Sequence, residues 1–129
     1  MVPHGKYKPI KYYRKLTITY EVLLSEQYRS LSATSKYAYT IFLYKRQFAN
    51  STRKGVRNLK NNGSIKFPEE EAQGKWGIKK GAFWKSIKQL QQQKIIRVAH
   101  KGFGLHNDMN LYELIGIFDG VVRHWKEKE

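Results

Sequence analysis

Apolar positions along the chain fall into two helical rhythms, separated by stretches that alternate or turn. Tyr37, Ile41, Tyr44 and Phe48 recur at spacings of 4, 3 and 4, which puts them on one face of a helix over about 33–49. Ala38, Phe42 and Leu43 widen that stripe, and Ser32 stands where a helix favours an N-cap. This element reads as the central core helix, with its tyrosines buried as structure. The second rhythm, Phe83, Ile87 and Leu90 at spacings of 4 and 3, predicts a helix over about 79–93. Ahead of the first helix, LTITYEVLL alternates Ile18 and Tyr20 against Thr17 and Thr19. It reads as a short strand or extended segment running into a turn of helix near 22–28, with 29–32 as a connection.

Between the two rhythms the chain turns polar. Asn61-Asn62-Gly63 is a turn signal, and Ile65 and Phe67 flanking Lys66 suit a short strand. Pro68 can open a helix at its first position, and Glu69, Glu70 and Glu71 lie where a helix N-terminus favours negative charge. That acidic run therefore reads as a helix start, not as a metal or acid–base site. Gly77 supplies a tight turn because it tolerates positive φ, and Ile78 follows as a buried anchor. After the second helix, Ile95, Ile96 and Val98 read as a strand and Leu111, Tyr112, Leu114 and Ile115 as a returning strand. The glycine- and polar-rich residues 100–110 form the long tip of that hairpin. The fold class implied is α+β: a winged helix-turn-helix with three core helices and a C-terminal β-hairpin wing. Residues 16–116 would form this domain, 1–15 a basic arm, and 117–129 an extension able to pack as a helix on the core or on a second copy.

Length and charge sharpen this picture. At 129 residues, the chain suits one domain with one core. The absence of cysteine excludes a disulfide scaffold, cysteine-ligated zinc and thiol catalysis. No apolar run approaches the ~18 residues of a membrane span, and the opening MVPHGKYKPIKYYRK lacks the apolar stretch of a secretory signal; a cytoplasmic location is the expectation. The net charge of +15 points to a polyanionic partner, nucleic acid ahead of an anionic membrane. The charge is also uneven: residues 1–66 hold 14 basic and 2 acidic side chains, residues 67–129 hold 11 and 8. No Asp or Glu occurs between Gln27 and Pro68, nor between Ala72 and Asn107, so particular faces stay positive.

On the second helix, Lys79, Lys80, Lys85, Lys88, Gln89 and Gln92 are left outside the apolar face. Lysine suits phosphate or guanine and glutamine suits adenine, so these are the candidate DNA contacts. Wing candidates are His100, Lys101, His106 and Asn107, and a further basic set, Arg53, Lys54, Arg57 and Lys60, is placed to meet backbone phosphates. Trp84 stands between core and flank, with partial burial expected. In the arm, Tyr7, Tyr12 and Tyr13 alternate with basic residues, a composition suited to following a phosphate backbone and stacking on bases. No enzyme signature emerges. The four histidines contain no i,i+4 metal pair, Gly102-Phe103-Gly104 is too short for a phosphate loop, and no cluster activates a tyrosine nucleophile. No catalytic residue, metal or small-molecule cofactor is expected.

The order LTITYEVLLSEQYRSLSATSKYAYTIFLY, NNGSIKFPEEEA, WGIKKGAFWKSIKQLQQQKIIRV and NLYELI resembles the winged-helix domains of bacterial phage and plasmid replication and regulatory proteins. The likeness runs over about 16–116. It includes an Asn-Gly turn before a strand, a Gly-Ile turn before the recognition helix, and a closing Asn-x-Tyr-x-Leu strand matched by Asn110, Tyr112 and Leu114. It departs at Lys79, where the family often has Ser or Thr, and at Gly81 and Ala82, which replace a polar pair. The resemblance implies a double-stranded DNA-binding regulator of replication or transcription in a mobile element. Two other classes fit the composition: an RNA or single-strand binder using the tyrosine-rich arm, and a protein-interaction winged helix. Many winged-helix proteins dimerise, so a homodimer on a pseudo-palindromic site is a further expectation.

Overall fold

The computed structural model describes residues 16–48, 59–102 and 109–121. The chain is mixed α+β. Its helices are α1 (Tyr20–Leu24), α2 (Glu26–Arg29), α3 (Ala33–Lys45), α4 (Glu69–Gly74) and α5 (Lys80–Gln92). Its strands are β1 (Ile65–Lys66), β2 (Ile96–His100) and β3 (Leu111–Leu114), and a 3-10 turn spans Gly116–Asp119. The described residues thus hold five helices where three core helices are expected, because the opening segment is helical sooner than its alternation suggests. Thr19 accepts a hydrogen bond from the Val22 amide, and Ser25 accepts one from the Tyr28 amide while donating to the Val22 carbonyl. These side-chain caps break Tyr20–Arg29 into two short helices and leave only 16–19 extended.

Ser32 caps α3 as expected, accepting from the Ser35 amide. The buried face of α3 is not Tyr37, Ile41, Tyr44 and Phe48, however. It is Ser35, Ala38, Tyr39, Ile41, Phe42 and Leu43. Tyr37 is 44% exposed and Tyr44 half-buried, so the true core stripe is rotated and broader than the sequence spacing indicates. The helix also ends at Lys45, four residues early. Asn61 closes that end: its Nδ2 donates to the Lys45 carbonyl and its Oδ1 accepts from the Gln47 amide.

The three strands form one antiparallel sheet in the order β1-β3-β2. Ile96 faces Leu114 and Val98 faces Tyr112, and an irregularity follows between Val98 and His100. Arg97 and Glu113 pair across the strands. The short β1 is extended by a side chain: Asn62 donates to the Leu114 carbonyl at 3.1 Å and accepts from the Leu114 amide at 2.8 Å. One asparagine therefore substitutes for a strand residue.

The core is aromatic where helices meet sheet. Phe42 of α3 packs edge-on against Phe67 and Tyr112, and Phe67 packs on Phe83 of α5, with ring centroids 5.0–5.4 Å apart. A second part lies behind α3, where Tyr39 meets Tyr28 and Phe118 and its hydroxyl donates to the Phe118 carbonyl. Burial pushes the Tyr39 phenol well above its usual range. Gly120 closes this corner at φ +70, and an added Cβ would lie 2.8 Å from Leu43 Cδ2 and 3.0 Å from the Thr17 carbonyl.

Candidate functional site

The α4–turn–α5 unit positions the candidate site. Gly77 adopts φ +70, and the Ile78 amide reaches back to the Ala72 carbonyl, so the chain reverses within five residues between the helices. Ile78 is buried beneath the turn. The acidic residues at the start of α4 do more than favour a helix N-terminus. The Trp84 Nε1–H donates to Glu69 at 2.7 Å, tying α4 to α5. Lys45 Nζ reaches both oxygens of Glu71 at 2.7 Å, and the Trp76 indole donates to the same carboxylate. Partial burial would raise the Glu71 carboxyl, but the Lys45 and Trp76 hydrogen bonds and the charges of Lys45 and Lys75 outweigh it and hold it below the usual range. Glu71 thus ties α4 to α3, and Glu69 ties α4 to α5.

α5 buries Phe83, Ser86, Ile87 and Leu90. Lys85, Lys88 and Gln92 are exposed on one outward stripe, with Trp84 beside them at 40% exposure. The helix carries no acidic residue, and no ion pair of the described residues involves Lys79, Lys80, Lys85 or Lys88. Lys79 occupies the N-cap without a side-chain cap bond, so the first amides of α5 lack an internal partner beside the exposed Lys79 and Lys80. Gly81 lies on the same end, and a Cβ there would meet nothing within 4 Å.

Gln89 belongs to a different role from the one its type suggests. Its Oε1 accepts from the Ser32 amide at 3.0 Å, holding the start of α3 against α5. It is therefore committed to the fold and half-buried, because a neighbouring helix N-terminus supplies the donor that a base would otherwise offer.

The hairpin β2–β3 stands beside α5. Between them lies a groove of about 250 Å³, lined by Trp84, Ile87, Lys88, Gln91, Val98, Lys101 and Asn110. His100 and Lys101 are exposed at the end of β2. Asn110 fastens the base of the loop, accepting from the Gly102 amide at 2.8 Å and donating to the Tyr112 hydroxyl at 3.3 Å. His106 and Asn107 lie outside the described residues, as do Arg53, Lys54 and Arg57 and the tyrosine-rich arm; Lys60 is exposed. The structure thus leaves Lys79, Lys80, Lys85, Lys88 and Gln92 exposed along α5, sets Lys88 and Lys101 on one groove, engages Gln89 with the Ser32 amide, and adds Gln91 and Asn110 as groove residues. Gln91 was legible only as one of three consecutive glutamines, with nothing in the sequence to say which faced the hairpin.

Among the described residues no group of three or more histidine or acidic side chains converges as a metal would require, and no helix is long and apolar enough to cross a membrane. Comparison with models of known families, with curated proteins and with solved structures finds no match to the chain.

Proposed function

We propose that the chain is a winged helix-turn-helix protein that binds double-stranded DNA, with α5 as the recognition helix and β2–β3 as the wing. The observation that carries this reading is the acid-free stripe of Lys85, Lys88 and Gln92 on a 13-residue helix packed beside a hairpin. Such a helix is about 20 Å long and about 10–12 Å across with its side chains, and the major groove is about 12 Å wide. From Lys85 to Gln92 the stripe spans about 10 Å of helix axis, so three side chains meet successive base pairs or the flanking phosphates. The uncapped helix start, with Lys79 and Lys80, favours a phosphate on one groove wall. Lys88 and Lys101, on either side of the groove between helix and hairpin, favour the other.

In this reading Gln92, not Gln89, reads a base edge, and Trp84 packs along the sugar–phosphate wall. If the resemblance read in the sequence holds, such binding would serve an origin or operator of a phage or plasmid. A salt titration of binding to mixed-sequence duplex and to single-stranded DNA tests it. Duplex binding should be tighter and should fall linearly with log salt. Equal or tighter single-strand binding would move the function to the arm. No binding at low salt would assign the positive charge to another acidic partner.

A further inference from the structure

Asn62 and Gly63 form the turn that leads into β1, and Gly63 is the only glycine of the sequence that directly follows an asparagine. A backbone nitrogen can attack the side-chain amide carbon of the asparagine before it, and glycine, with no Cβ, offers the least hindered nitrogen. Gly63 adopts φ +94, and the Ser64 amide closes the turn on the Asn61 carbonyl at 2.7 Å. A Cβ built at Gly63 would meet nothing within 4 Å, so water reaches the site. The restraint lies in Asn62 itself. Its side-chain amide is committed to Leu114, accepting from the backbone amide at 2.8 Å and donating to the carbonyl at 3.1 Å. An amide carbon fixed to β3 by two bonds is not free to swing onto the Gly63 nitrogen.

We infer that Asn62–Gly63 is a site of spontaneous deamidation, gated by release of β1 from β3. The Asn62–Leu114 bonds continue the ladder in which Ile65 faces Tyr112 and Lys66 faces Leu111. Freeing Asn62 therefore needs only the local opening of a two-residue edge strand, a smaller event than global unfolding. Once free, the Gly63 nitrogen bonds to Asn62 Cγ, and the Asn62 amide nitrogen leaves as ammonia with the Gly63 proton. Water then adds to either carbonyl of the five-membered imide and breaks one of its two C–N bonds. The products are aspartate, with the main chain restored, and isoaspartate, with the main chain routed through the side chain; nothing is oxidised or reduced. Either carboxylate has no N–H to donate to the Leu114 carbonyl and sets a negative charge beside it. Isoaspartate also lengthens the main chain by one carbon just before β1. Each conversion thus keeps open the strand that had to open for it.

The inference does not rest on DNA binding, and its test uses none. The full chain is kept in mildly alkaline buffer at physiological temperature, folded and in urea, and its proteolytic fragments are followed by mass spectrometry over days. In urea, Asn62 should convert ahead of every other asparagine and release ammonia. In the folded chain the same conversion should run at least about tenfold slower, since two hydrogen bonds must break first. Ile65→Val trims a fully buried side chain of β1 and leaves the turn and Asn62 untouched. It should speed conversion in the folded chain about two- to tenfold and leave the rate in urea unchanged. Asn62→Asp should melt below wild type, because its carboxylate cannot donate to Leu114. A folded-chain rate equal to or above that in urea would overturn the inference, and so would a rate that Ile65→Val does not raise. Conversion in urea that starts at another asparagine would overturn it as well, as would an Asn62→Asp chain that melts with wild type.

Discussion

Removing Lys85 and Lys88 together should change how DNA binding depends on salt more than it changes the protein. Both are exposed on α5, neither has an ion-pair partner among the described residues, and neither contributes to the core. Lys85→Ala/Lys88→Ala should therefore keep the wild-type fold, within about 0.5 kcal/mol of its stability. If each lysine neutralises one phosphate, each releases about 0.9 counterion on binding. The slope of log K against log salt should then become shallower by about 1.8. Between 50 and 200 mM salt that narrows the affinity gap between wild type and variant by about tenfold. Fluorescence anisotropy on a labelled mixed-sequence duplex at four or five salt concentrations gives both slopes. Equal slopes with equal affinities would refute the placement of α5 on DNA. Equal slopes with a constant affinity loss on one sequence only would instead make one or both lysines base contacts, since base contacts carry sequence and not salt dependence.

Other residues make independent tests. Lys94 sits at φ 61, directly after α5, with the Ile95 amide bonded to the Leu90 carbonyl and the Lys94 amide to the Gln91 carbonyl. This is a helix-ending motif that favours glycine, so Lys94→Gly should raise stability by about 0.5–1 kcal/mol, or a few degrees in a thermal melt; a lower melting temperature would place Lys94 elsewhere. Asn62→Ala removes both bonds to the backbone of buried Leu114. It should cost about 2–3 kcal/mol, read as a lower urea midpoint, whereas a loss below about 0.5 kcal/mol would mean that the turn holds without it. Glu71 is held below its usual pKa in the folded chain, so its contribution is complete above the unfolded value and is lost as pH falls through the folded one. Melting temperatures of wild type should accordingly drop between about pH 5 and pH 3, and Glu71→Gln should flatten that drop.

Periodicity located the two long helices and the buried set Phe83, Ile87 and Leu90, and glycine chemistry and short apolar runs located the turn at Gly77 and the hairpin strands, because each depends on residues near in sequence. Ser32 and the Asn-Gly turn were legible for the same reason: a cap and a positive φ at Gly63 are local demands. The same helical spacing marked Lys85 and Lys88 as outward, since they fall outside the Phe83, Ile87 and Leu90 face. Which face of α3 turns inward was not local. Tyr37 and Tyr44 share the helical spacing of a core stripe, yet the core is set by Phe67, Phe83, Tyr112 and Phe118, which approach from four separate parts of the chain and select Tyr39 and Phe42. The fate of Gln89 was decided in the same way. Its side chain is as suited to adenine as that of Gln92, but the Ser32 amide comes within 3.0 Å across 57 residues of chain. Only the packing of α3 on α5 places that donor, and the half-buried Gln89 side chain accepts from it. Sequence thus determined which residues can make a helix positive; tertiary structure decided which of them remain available to use the charge.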